Sequence, residues 1–239
     1  MDNIVILGDG LLGTELVKQT GWNYISRKKD NFDIRKEKTY YDFFLENYDS
    51  VAWWPKYKTI VNCIANTNTY SNNKELHWDI NFKSVVQLTN FCTNMNIKLV
   101  QISTDYVYTN SVTNASEDDI PIHGNNWYSY TKLLGDGYAQ LNANNLVLRG
   151  THKQTPFPYD SAWVDQIGNF DYVDIIAKLY IELINRNACG LFNVGTDLKT
   201  MLDLAKRTNV NSSYSFIPNT QIPSDVSMDV SKLKTFLTL

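Results

Sequence analysis

The chain has 239 residues, of which 43% are hydrophobic, 13% aromatic and 20% charged, with a formal net charge of −3. This length suits one large domain or a core with a small lobe, and the composition excludes a disordered chain. The balance of charge argues against nucleic acid or an anionic membrane as partner, and no apolar run of about 18 residues offers a membrane span.

The start, MDNIVILGDG, lacks the basic-then-apolar order of a signal peptide. Cys63, Cys92 and Cys189 include no CxxC and make no disulfide framework. A cytoplasmic globular protein is the expectation, and the sequons at Asn114 and Asn211 read as chance in an Asn-rich chain.

The run Ile4-Val5-Ile6-Leu7 is short, β-branched and ended by glycine, as a strand buried on both faces should be. Residues 11–20 read as a helix, 22–26 as a second strand, 36–47 as a helix and 59–64 as a third strand. Leu76, Ile80, Val85, Leu88 and Phe91 recur at helical spacing through 75–96. Residues 98–103 make a fourth strand, 126–142 a helix and 145–149 a fifth strand. Strand alternating with helix predicts an α/β protein with a Rossmann-type doubly wound parallel sheet.

Residues 1–150 would form a dinucleotide-binding core that carries the catalytic residues. Residues 151–239 would form a small C-terminal substrate-binding lobe interleaved with it. In that second part a helix near 171–185, a strand at 190–194 and a helix near 198–207 precede a polar tail.

Gly8-Asp9-Gly10-Leu11-Leu12-Gly13 is a GxGxxG that leaves a buried strand and opens a helix, the context the motif requires. Gly8 allows the tight turn, Gly10 lets backbone approach a pyrophosphate, Gly13 lets helix and strand pack closely, and the helix N-terminus offers free N–H groups to the phosphates. At the end of the second strand, an acidic residue would bind the ribose hydroxyl of NAD. This chain has Ser26-Arg27-Lys28-Lys29 instead, a hydroxyl and three cations suited to a 2′-phosphate. NADP(H) is therefore favoured, with NAD(H) as the alternative and a solvated basic loop as the bland reading.

Tyr128 and Lys132 stand four apart on one helix face as a YxxxK. A tyrosine can pass a proton to a carbonyl oxygen, and an adjacent ammonium would lower its pKa by stabilising the phenolate. Ser103-Thr104 ends the fourth strand, where ligands bind in open α/β sheets, and can supply a second donor to the carbonyl. Tyr130 has no lysine four residues on.

Ile60-Val61-Asn62-Cys63 with Ala65, Thr67 and Asn81, then Ile102-Ser103-Thr104-Asp105-Tyr106-Val107-Tyr108, Tyr128-Ser129-Tyr130-Thr131-Lys132-Leu133-Leu134-Gly135-Asp136 and Val147-Leu148-Arg149, together resemble an extended short-chain dehydrogenase/reductase of the dTDP-4-dehydrorhamnose reductase type. The resemblance covers about residues 1–150. It implies Thr104, Tyr128 and Lys132 as the catalytic residues and Leu11 and Leu12 over the pyrophosphate. It further implies Asp33 and Ile34 beside the adenine, and Cys63, Ile64, Ala65 and Thr67 along the cofactor cleft. Thr104, Asp105, Tyr128 and His152 would face a nucleotide-sugar substrate, and Lys132 would also hold the nicotinamide ribose. A homodimer through the helices near 75–96 and 126–142 is implied as well.

Two departures stand out. The family commonly has GxxGxxG, and where it has Thr-Ser-Trp after the arginine this chain has Gly150-Thr151-His152. Family members also run longer in the second half.

The reading is a nicotinamide-dependent reductase of a nucleotide-activated keto-deoxysugar. A sugar-nucleotide epimerase or dehydratase, and a cofactor-binding regulatory subunit without chemistry, are the alternatives. His77, His123 and His152 have no metal-ligand spacing, so no metal is expected. Trp53-Trp54-Pro55 is expected in a loop, and Cys63 has no base in sequence reach to make it a nucleophile.

Overall fold

The computed structural model describes residues 3–47, 53–219 and 221–238. Six parallel strands form the central sheet, labelled here in chain order: β1 Ile4–Leu7, β2 Asn23–Ile25, β3 Thr59–Asn62, β4 Lys98–Ile102, β5 Leu146–Arg149 and β6 Gly190–Asn193. Their spatial order is β6-β5-β4-β3-β1-β2. Consecutive strands are reversed in direction of travel only where β1 is flanked by β2 on one side and β3 on the other.

The alternation of side chains explains why both faces are covered. Ile6, Val61, Val100, Leu146 and Leu148 point into a core closed by helix Leu11–Thr20 and helix Val173–Asn185. Val5, Leu7, Ile60, Leu99 and Val147 point the other way, against Leu88 and Phe91 of helix Ser84–Asn94 and the aromatic group Phe32, Tyr40 and Phe44. Strands buried on both sides have no polar alternation, which is why they read as continuous apolar runs.

Three segments differ from the sequence-based expectation. The basic stretch is a short helix, Arg27–Asp30, because the Ser26 hydroxyl caps it by accepting from the Lys29 N–H. The helix expected over 36–47 is confined to Thr39–Phe44; Leu45 turns extended, and Leu45–Asn47 pairs antiparallel with Trp53–Pro55, which is a strand and not a loop. The polar tail also carries structure. Strands Ser213–Ser215 and Asp225–Val226 join small sheets, and helix Ser231–Leu237 buries Leu233 and Leu237 in the main core.

The second half divides its work. Val173–Asn185 and β6 return to the central sheet, whereas Phe157, Ala162, Phe170, Tyr172, Met201, Leu204, Ala205 and Val226 form a separate small core above the carboxyl ends of the strands. No described helix is long and apolar enough to cross a membrane.

Candidate active site

The reversal of strand order opens a crevice at the carboxyl ends of β1 and β3, where open α/β sheets bind ligands. Gly8 leaves β1 with φ +99°, a conformation that glycine adopts without a side-chain clash. A Cβ on Gly13 would lie 2.1 Å from the Gly8 carbonyl oxygen, so the helix can start this close to the strand only with glycine there. A Cβ on Gly10 would meet nothing within 4 Å, which leaves that backbone open towards the crevice. Helix Leu11–Thr20 starts with no side-chain cap and no acidic residue in its first turn, so its N–H dipoles face the opening uncontested.

From this loop a cavity of about 870 Å³ runs under the small core. Gly10, Leu11, Leu12, Gly13, Cys63, Ala65 and Thr67 line one end. Thr104, Tyr128, Lys132 and His152 line it further along. Five segments distant in sequence thus meet in one concavity.

Thr104 is buried at the end of β4, where its side chain accepts from the Tyr106 N–H and its hydroxyl donates to Asp105 at 3.1 Å. Tyr128 projects from helix Trp127–Ala139, whose N-terminus is capped by Asn126. Its ring stands edge-on to Tyr106, with centroids 6.0 Å apart. Burial pushes the Tyr128 phenol up to about 12, opposed by a hydrogen bond with Thr104 and reinforced by the Asp105 charge. Lys132, buried one turn on, donates to the Ile102 carbonyl at 2.6 Å. Burial pulls its ammonium down to about 8, against the pull of Asp136 and Cys63. The hydrogen bond of the Lys132 ammonium thus goes to the Ile102 backbone and not to the Tyr128 hydroxyl.

Below the site, the motif residues hold one another. Asp136 accepts from both Arg149 Nε and Nη2 at 2.9 Å and from the Ser103 hydroxyl at 2.6 Å, and the guanidinium also donates to Tyr108, which donates to Asn193. This buried hub ties β4, β5, β6 and the Tyr128 helix together. A second anchor is Asn81 in a π-helical turn, Trp78–Lys83. Its amide accepts from the Asn66 N–H at 2.8 Å, donates to the Asn66 carbonyl and reaches Thr131. The widened turn lets one side chain fasten the loop after β3 to the Tyr128 helix.

Other expected residues lie outside the cavity wall. Asp105 is fully buried behind it, with Oδ1 accepting from Thr104 and from Thr151 at 2.6 Å, so it supports the two threonines. Ile64 packs on the sheet core, and Ile34 is buried with the aromatic group. Asp33 pairs with Arg35 at 2.6 Å, which holds its carboxyl down to about 2, beside a separate shallow pocket. The buried Ser26 side chain is committed to its helix cap, whereas Arg27 and Lys28 are exposed just beyond β2.

Sequence reasoning missed Tyr70, Lys153, Phe157, Tyr159, Trp163 and Met201, which also line the cavity. They lie in segments without periodicity, and only the small core brings them together. Among the described residues no cluster of three or more metal-ligating side chains occurs.

Sheet order, glycine loop and the Thr104–Tyr128–Lys132 placement define an extended short-chain dehydrogenase/reductase fold. The family model described as the RmlD substrate binding domain matches residues 1–152, and the chain belongs to that family. No curated protein matches.

Among solved structures, a hypothetical dTDP-4-dehydrorhamnose reductase from Sulfolobus tokodaii is 20% identical with a TM-score of 0.79, over 100% of this chain and 95% of that one. The dTDP-4-dehydrorhamnose reductase from Bacillus anthracis, solved with NADP, is 20% identical with a TM-score of 0.80, over 99% and 92%. The Bordetella bronchiseptica enzyme WbmG, solved with NAD, is 13% identical with a TM-score of 0.75, over 98% and 87%. These likenesses show the fold.

Proposed function

We propose that the protein is an NADP-preferring reductase of a nucleotide-activated keto-deoxysugar. The observation that carries this reading is the single cavity that joins the open Gly10–Gly13 backbone to Thr104, Tyr128 and Lys132. The crevice fits a dinucleotide: its phosphate end is bare N–H dipole with space where a Cβ would stand, and Arg27 and Lys28, exposed just beyond β2, would hold a ribose 2′-phosphate. When bound, the nicotinamide supplies hydride to the carbonyl carbon of the sugar.

The residues supply the rest. Tyr128, kept protonated by burial, gives its proton to the carbonyl oxygen as the alkoxide develops. The Thr104 hydroxyl, turning its proton away from Asp105 Oδ1, offers the second hydrogen bond to that oxygen, in a wall desolvated enough for it to count. Lys132, held by the Ile102 carbonyl, orients a ribose hydroxyl and can return a proton towards Tyr128.

The test is NADPH oxidation by the purified protein with a dTDP-linked 4-keto-6-deoxysugar, beside NADH and a Tyr128→Phe variant. Turnover should fall by roughly 10²–10⁴-fold in the variant while NADPH affinity is kept. Turnover unchanged in Tyr128→Phe would remove the assignment. Tightly retained cofactor that is not consumed would favour the epimerase or dehydratase alternative. A homodimer through the helices 75–96 and 126–142 belongs to the same proposal, and light scattering of the purified protein at the monomer mass would remove it.

A further inference from the structure

The substrate side of the cavity contains a cation that the protein does not answer. Lys153 lines the wall one residue past His152, on a two-residue strand whose pairing with Asp171–Tyr172 fixes its backbone. Its ammonium makes neither a hydrogen bond nor an ion pair with any described residue. Asp105 attracts it from beyond ion-pair distance, and burial lowers its pKa.

Asp105 cannot come closer, because Thr104 and Thr151 hold its Oδ1, while its buried Oδ2 has no partner. Beside Lys153, the Nδ1 of His152 is buried and also without a partner. A partly desolvated ammonium without acceptors is costly, and ligand oxygens bearing negative charge remove that cost.

The cofactor phosphates do not meet this need. Lys153 follows β5 and the glycine loop follows β1, with β3 and β4 between them, so the two sites are roughly 14 Å apart across the sheet.

We propose that Lys153 is a specificity-determining residue that binds an anionic oxygen group of the substrate, a carboxylate on the sugar ring or the diphosphate that links sugar to nucleotide. The His152 imidazole lies alongside as a neutral hydrogen-bonding partner for the same group. This rests on the nucleotide-sugar reading above and narrows it.

The test is calorimetric titration of the NADP-loaded protein with UDP-glucuronic acid, UDP-glucose, UDP, inorganic pyrophosphate and glucuronate, repeated on Lys153→Met and Lys153→Arg. Thermal melting and NADP affinity, which the proposal leaves unchanged, confirm that the variants fold. Lys153→Met should weaken the anion it recognises by roughly 10–100-fold, and Lys153→Arg should largely restore it.

Loss confined to UDP-glucuronic acid and glucuronate identifies the carboxylate, and equal loss for all three nucleotides and pyrophosphate identifies the diphosphate. Lys153→Met binding every probe as the unmodified protein does would overturn the proposal while leaving the reductase reading in place. Lys153-dependent binding of pyrophosphate or glucuronate without any binding of the nucleotides would uphold the anion site and remove the nucleotide-sugar reading.

Discussion

The wall of the cleft built before Arg149 and the wall built after it are held by different means. The first hangs from strands buried on both faces and from one dry ionic hub, Asp136 with Arg149, whose side chains are 0% and 3% exposed. The second hangs from two- and three-residue strands over a small core, and its hub, Asp171, pairs with Lys199 at 3.7 Å and with Arg207 at 3.0 Å, the latter side chain 47% exposed. The first region therefore presents backbone and a few fixed side chains to a ligand that keeps the same shape. The second presents long side chains such as Lys153 and Tyr159 on short elements, where substitutions change ligand preference at little cost to the fold.

The two hubs give the widest separation. Asp136→Ala leaves a buried guanidinium without its carboxylate and should cost about 3–5 kcal/mol in urea unfolding. Asp171→Ala should cost less, about 1–3 kcal/mol, because water can replace part of what Arg207 loses. Equal losses would mean that the second region is as tightly built as the first.

The glycine loop separates shape from binding within the first region. Gly13→Ala forces a Cβ onto the Gly8 carbonyl and should lower stability by about 1–3 kcal/mol. Gly10→Ala enters open space and should change stability by under about 0.5 kcal/mol while weakening NADP binding, since the methyl group occupies the phosphate approach. Unaltered NADP affinity in Gly10→Ala would place the phosphates elsewhere.

The smallest effect is a pH dependence in the second region. Burial, then the Lys153 charge, hold the His152 pKa down to about 4 from 6.5. The unfolded chain therefore binds a proton that the folded chain refuses, so the stability present above pH 6.5 is lost as pH falls from about 6.5 to about 4. The loss should be about 1–2 kcal/mol given the partly open cavity, and His152→Gln should remove it from the pH profile of thermal melting. A profile unchanged in that variant would show that His152 is solvated in the folded protein.

Much of the first region is legible in sequence because its constraints are local. The run Ile4–Leu7 into Gly8, and the i, i+4 relation of Tyr128 to Lys132, state their own geometry. The Asp136 and Arg149 positions belong to motifs whose reason, a shared hub, needs the fold to be seen. The short helix Arg27–Asp30 was hidden because Lys and Arg also suit a solvated loop, and only the Ser26 cap distinguishes the two. Helix Ser231–Leu237 was hidden because two leucines four apart make too short a pattern to stand out in a polar tail.

The sequence by itself determined the parallel α/β core, the glycine turn and the placement of Tyr128 and Lys132 on one helix face, since these follow from period, backbone freedom and spacing along one element. Tertiary structure decided what faces the ligand. It placed Asp105 behind the wall, set Lys132 on the Ile102 carbonyl, and brought Lys153 beside His152. Those outcomes depend on contacts between residues far apart in the chain, and burial, which no local pattern records, sets the charge each group carries.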